Sequence, residues 1–191
     1  MNDQTTRSTG LLLRITFMRI VLVPAIMALV LAGDRLSHAY VTAAVLFAFA
    51  AGTDFVDGYL ARRWAVTSTL GSFLDTTADK LLVTGTLVTL VQVDRASPWI
   101  AAIIIGRELV ILGLRGLVAA DGVVMEPSIW GKLKANAQFL AIGLAIVRVS
   151  EPLGAFFIDE WAMFAAAAIT LMSAWDYLAR WSTVLSSPGS Q

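Results

Sequence analysis

Six apolar stretches, each close to the length that crosses a bilayer, fill most of this chain, with only short polar breaks between them. A spanning helix needs about 20 predominantly apolar residues, and the breaks place the ends. The first stretch covers 16–33 and stops at Gly33-Asp34-Arg35; the second covers 39–60 and stops at Arg62-Arg63. The third covers 68–93 and stops at Asp94-Arg95; the fourth opens at Ser97-Pro98 and stops near Asp121-Gly122. Proline suits a first helical turn, where no backbone donor is needed. The fifth covers 129–149 and the sixth 157–185. Hydrophobic residues make up 58% of the chain, above the 45–50% or so of a soluble domain, and the mean hydropathy is +0.76. The expected fold is all-α: a polytopic membrane bundle of six transmembrane helices. Residues 1–15 read as a cytoplasmic or interfacial N-terminal segment, 16–185 as one membrane domain, and 186–191 as a disordered tail. The N-terminus lacks the pattern of a cleaved signal peptide.

Lysine and arginine placement sets the orientation. With the N-terminus in the cytoplasm, the inner side holds Arg7, Arg14, Arg19, Arg62, Arg63, Arg115, Lys132, Lys134 and Arg180. The outer loops hold Arg35, Arg95 and Arg148. This asymmetry predicts both termini in the cytoplasm. Trp64, Trp130 and Trp181 then fall near the inner interface and Trp99 and Trp161 near the outer one, as aromatic belts.

Against this background Asp54, Asp57, Asp75 and Asp79 stand out. An aspartate at the centre of a spanning helix costs roughly 2.5–3.5 kcal/mol. The topology puts all four near the inner ends of the second and third helices. Spacings of three and four residues place each pair on one helix face. Clustered carboxylates cannot all stay ionised without a counter-charge, and divalent cations supply one. The chain has no cysteine and one histidine, His38, so thiolate and multi-histidine sites are excluded. A hard, oxygen-preferring metal such as Mg2+ or Mn2+ fits the carboxylates, and two ions could clamp a phosphoryl displacement. One aspartate could serve as general base on an alcohol. Arg62, Arg63 and Lys80 are too few to pair every acid, and they leave the small Gly58, Ala61 and Gly71 without a purpose.

The fixed positions Asp54, Asp57, Gly58, Ala61, Arg62, Gly71, Asp75 and Asp79 match, at every place, the pattern Asp-x2-Asp-Gly-x2-Ala-Arg-x8-Gly-x3-Asp-x3-Asp. The chain thereby resembles the CDP-alcohol phosphotransferase (CDP-alcohol phosphatidyltransferase) family. The resemblance implies a metal-dependent transferase that binds a CDP-linked alcohol and releases CMP. It implies Asp54, Asp57, Asp75 and Asp79 as ligands to a metal pair and Asp79 as the base that deprotonates the attacking hydroxyl. Gly58, Ala61, Arg62 and Gly71 would pack around the cytidine nucleotide, with Ser68 near its diphosphate. A homodimer in the bacterial cytoplasmic membrane, its site facing the cytoplasm among the membrane lipids, also follows from the resemblance. No nucleic-acid partner is expected.

Further stretches resemble the phosphatidylglycerophosphate synthase branch: Ile105-Gly106-Arg107-Glu108-Leu109, Trp130-Gly131-Lys132-Leu133-Lys134, Ser173-Ala174-Trp175-Asp176-Tyr177, and Thr16 with Arg19 and Pro24. They imply CDP-diacylglycerol as donor and sn-glycerol 3-phosphate as acceptor. Arg107, Arg115, Lys132 and Lys134 would meet the acceptor phosphate, since a phosphomonoester needs several cations. Rival readings exist for each. Arg115, Lys132 and Lys134 could be ordinary positive-inside charge, and Arg107 with Glu108 a buried ion pair. Arg19 could snorkel to headgroups, and Asp176 with Arg180 could be a structural i,i+4 pair. The acceptor could instead be inositol phosphate or phosphatidylglycerol. A divalent-cation transporter is the reading from another class.

Overall fold

The computed structural model describes the backbone of residues 3–64, 69–120, 129–148 and 152–186, and their side chains except those of 3–9, 11–12, 54–70, 72, 120 and 182–186. Six helices run up and down: α1 (Asp3–Leu31), α2 (Ala39–Trp64), α3 (Thr69–Gln92), α4 (Pro98–Ala120), α5 (Ile129–Val147) and α6 (Ile158–Ser186). The sequence breaks and the helix ends agree, with one marked difference. Helix α1 starts at Asp3 and continues unbroken through residue 16, so the N-terminal segment is itself helical. Residues 187–191, most of the expected tail, lie outside the described residues.

Helix α1 packs along both α2 and α3, α5 packs along α6 and α2, and α4 along α6 and α3. One contiguous apolar core joins all six. It draws on Ile26 and Val30 of α1, Ala43 and Phe47 of α2, Leu87 and Leu90 of α3, Ile100 and Ile104 of α4, Ile142 and Ile146 of α5, and Met163 of α6. These positions lie in the half of each helix farther from the chain termini. Gly85 lets α1 and α3 approach closely there: a Cβ on it would stand 2.9 Å from Met27 Sδ and 3.0 Å from Val23 Cγ1.

The loops at that far end are tightly fastened. Helix α3 ends with Asp94 in the left-handed region (φ 56°), while the Arg95 amide donates to the Leu90 carbonyl at 2.8 Å. That is the Schellman arrangement, which satisfies carbonyls a helix end would otherwise leave bare. Arg95 donates to the Ile146 carbonyl at 2.6 Å and lies 3.4 Å over the Tyr40 ring. Tyr40 fills the space beside Gly33, where a Cβ would fall inside its ring. Arg148 donates to the Asp94 carbonyl at 3.2 Å and to Asp159 at 3.1 Å. A short hairpin, β1 (Pro152–Leu153) with β2 (Phe156–Phe157), turns through Gly154 (φ 73°). Trp161 holds it by donating to the Leu153 carbonyl at 3.2 Å. Glu160 accepts the Phe157 amide at 2.9 Å and so caps the start of α6.

The outer surface is apolar. Phe17, Val21, Val45, Phe49, Val88, Leu109, Leu117, Leu140 and Leu171 are all exposed. So many large apolar side chains exposed on every helix are more than a soluble monomer usually shows and suit contact with lipid. Among the described residues, Leu13–Leu31 and Ile158–Trp181 are long and apolar enough to cross a membrane.

Candidate active site

The half of the bundle nearer the termini is built differently. Its buried positions include Thr16, Arg19, Glu108, Lys134, Gln138, Thr170 and Ser173. Burying such groups is costly unless each finds a partner, and the partners define two linked clusters.

The first cluster joins α1 to α3. Arg19 is fully buried and donates to Asp75 Oδ1 at 3.1 Å. Arg19 therefore does not snorkel to the surface: its head group points inward at one of the four expected metal ligands. Asp75 keeps 43% of its side chain exposed, and Asp79, one turn further along α3, keeps 24%. Their spacing sets both on one face of the helix. Two accessible carboxylates on one face are hard oxygen donors, and they fit a divalent cation. Among the described residues no group of three or more metal-ligating side chains comes together. Asp54 and Asp57 lie on α2, as do Gly58, Ala61 and Arg62, but their side chains are outside the described residues, and Ser68 is outside them altogether. Gly71 is in the first turn of α3 and Thr16 is buried in α1.

The second cluster surrounds Glu108, which is 3% exposed. Lys134 Nζ lies 2.5 Å from its Oε1 and Lys80 Nζ 2.6 Å from its Oε2. Arg107 Nη1 lies 3.3 Å from Oε1, and Arg107 Nη2 donates to Ser173 Oγ at 2.8 Å. Gln138 donates to Thr170 at 2.9 Å. Lys80 also reaches Asp79 Oδ2 at 3.0 Å, so it bridges the two clusters.

Beside the second cluster, and reaching Asp79 of the first, lies an open cavity of about 300 Å³. Its walls include Asp79 and Lys80 of α3, Arg107, Glu108 and Arg115 of α4, Lys132 and Lys134 of α5, and Ser173, Asp176, Tyr177 and Arg180 of α6. The structure thus brings together Asp79 and all four cations singled out from the sequence for the acceptor phosphate. Arg115 and Lys132 make no hydrogen bond or ion pair among the described residues. The Arg107–Glu108 pair exists (3.3 Å), as does the i,i+4 pair of Arg180 with Asp176 (3.3 Å), and both line the cavity. Sequence reasoning missed the reach of Glu108 to Lys80 and Lys134, and the place of Tyr177 in the wall. The Arg107-Glu108 dipeptide and the stretch from Ser173 to Tyr177 were the available signals, and adjacency along a helix does not say what lies across from it.

Fold and site together describe a helical membrane protein with an apolar core in one half and a cation-lined, carboxylate-bearing cavity in the other. The chain belongs to the CDP-alcohol phosphatidyltransferase family, whose model matches residues 14–173. It is 37% identical over 186 residues to the CDP-diacylglycerol--glycerol-3-phosphate 3-phosphatidyltransferase of Bacillus subtilis, covering 91% of this chain and 96% of that one. It is 38% identical over 168 residues to a probable phosphatidylglycerophosphate synthase of Mycobacterium tuberculosis, covering 87% and 78%. A Pseudomonas fluorescens relative named as the Bacillus protein is 39% identical over 172 residues, covering 86% of each chain.

Proposed function

We propose that this chain transfers the phosphatidyl group of CDP-diacylglycerol to sn-glycerol 3-phosphate, giving phosphatidylglycerol phosphate and CMP. The observation that carries the reading is the meeting of Asp79 with Arg107, Arg115, Lys132 and Lys134 around one cavity. A carboxylate base and a set of cations in one space suit an acceptor that carries both a hydroxyl and a phosphomonoester. The relatives' names point to the same pair of substrates.

In this mechanism the acceptor phosphate sits among the four cations, with arginine giving two-pronged contact. Its free hydroxyl meets the Asp79 carboxylate, which takes the proton as the oxygen attacks the phosphorus bearing the diacylglycerol. The bond from that phosphorus to the CMP oxygen breaks, and CMP leaves with the electron pair. Asp54, Asp57, Asp75 and Asp79 would hold two Mg2+ or Mn2+ ions, which when bound supply positive charge to the diphosphate. Gly58, Ala61, Arg62, Ser68 and Gly71 would receive the cytidine nucleotide. Arg19 keeps Asp75 oriented from the α1 side.

The same reading has all six helices crossing the bacterial cytoplasmic membrane, both termini and the cavity on the cytoplasmic side, and two chains forming a homodimer. The excess of lysine and arginine near the terminal ends of the helices supports the orientation, and the family resemblance supports the dimer.

The test is CMP release by purified protein in detergent micelles with CDP-diacylglycerol, a divalent cation and a panel of acceptors: glycerol 3-phosphate, inositol phosphate, phosphatidylglycerol and free glycerol. Release with glycerol 3-phosphate, lost on chelation, is the expected result. Release with another acceptor alone would overturn the assignment.

A further inference from the structure

We propose that Glu108 is the positioning residue of the acceptor site: its carboxylate sets where the phosphate-binding cations stand. The inference rests on the acceptor reading above and adds a residue that does not itself touch substrate in that scheme.

The geometry is unusual for a carboxylate in an apolar bundle. Glu108 gathers Lys80 from α3 (2.6 Å), Lys134 from α5 (2.5 Å) and its neighbour Arg107 (3.3 Å), and it also accepts from Gln138 (3.4 Å). Gln138 and Arg107 are each held in turn by α6, through Thr170 and Ser173. Four helices are therefore registered on one buried anion. A pairing whose members are all hydrogen-bonded holds side chains in one geometry, which is what a ligand site requires of its supporting shell.

Charge decides whether Glu108 stays in place when a phosphate arrives. Six cationic side chains and three carboxylates line the cavity, an excess of three positive charges. A phosphomonoester dianion can be balanced by that excess without displacing Glu108. Free donors are available for it as well. The Lys134 ammonium has three donors, and Arg115 and Lys132 line the cavity with no hydrogen bond or ion pair among the described residues. Without the carboxylate, Arg107 and Lys134 would lose the one anion they pair with among the described residues, and Lys80 would keep only Asp79. Their mutual repulsion in a low-dielectric setting would drive the head groups out of register.

The experiment is steady-state kinetics of the purified full chain with Mg2+, varying glycerol 3-phosphate and CDP-diacylglycerol separately. The variants are Glu108→Gln, Glu108→Asp and Lys132→Ala. KM is the deciding quantity, because it does not depend on how much of a preparation is folded. Glu108→Gln is expected to raise KM for glycerol 3-phosphate about 10-fold or more, the scale of a charge-assisted hydrogen bond, with KM for CDP-diacylglycerol unchanged. Glu108→Asp, which keeps the charge on a shorter stem, is expected to fall between; it carries the test alone where the Gln variant does not fold. An acceptor KM that stays or falls in the Glu108 variants while Lys132→Ala raises it would overturn the role of Glu108 and leave the acceptor site standing. An equal rise for both substrates would reduce Glu108 to a structural strut and also overturn the proposal. No change in any of the three variants would remove the acceptor reading itself.

Discussion

The two halves of this bundle use the same cationic side chains for opposite ends. At the loop end, Arg95 and Arg148 give their donors to main-chain carbonyls and to Asp159. Those contacts close helix ends and bind one loop to another, so the charge is absorbed by the fold. At the terminal end, Arg115 and Lys132 face a cavity without an ion pair among the described residues, and Lys80, Arg107 and Lys134 share one carboxylate. There the positive charge exceeds what the fold neutralises. The contrast teaches that a buried arginine is not in itself a sign of a site. What marks the site is charge left unbalanced beside open space.

Substitutions can sharpen or break this contrast, and the largest effect should fall on the reacting atoms. Asp79→Asn is expected to lower kcat by about 10²–10⁴-fold, the usual contribution of a positioned base; near-normal CMP release would refute the base assignment. Arg148→Ala is expected to act at the other end and on stability alone. It leaves Asp159, whose side chain is 1% exposed, without its cation, at a cost of roughly 3–5 kcal/mol. A large fall in the thermal midpoint with both KM values unchanged would confirm the division of labour. Arg115→Ala should do the reverse, raising KM for glycerol 3-phosphate about 10-fold while the melting curve hardly moves. Smaller still is Gly33→Ala, which must push Tyr40 aside and loosen Arg95, for about 1–3 kcal/mol of overpacking. Its control, Gly143→Ala, meets nothing within 4 Å and should be neutral or slightly stabilising. Equal losses for the two glycines would mean that the loop end is less tightly packed than its contacts indicate.

Most helix boundaries were legible in the sequence because each break is a local event. Gly33, Asp94 and Ser97-Pro98 act on their own backbone and do not need a distant partner. The early start of α1 at Asp3 was not legible from hydropathy, because its first turns are polar. The hairpin of residues 152–157 was too short to give a period-two signal, and Gly154 with its positive φ is all that marks the turn. The site divides along the same line. Asp79 stands out by residue type and spacing, while Arg107, Arg115, Lys132 and Lys134 were picked out by the motifs that resemble the family's. That Glu108 faces Lys134, 26 positions away, and that Arg19 is turned inward to Asp75, 56 positions away, are facts of packing. No local pattern contains them.

The Schellman end of α3, the Arg95 stack on Tyr40 and the Arg148 clasp together make the loop end a clamp. It fixes the spacing of the helices along their apolar half. Among the described residues, the other half is held by ion pairs, Arg19 with Asp75 and Glu108 with Lys80 and Lys134. Contacts to main-chain carbonyls do not depend on what occupies a cavity, whereas ion pairs beside one do. The loop end is thus the frame, built from contacts that a ligand in the charged half has no reason to disturb.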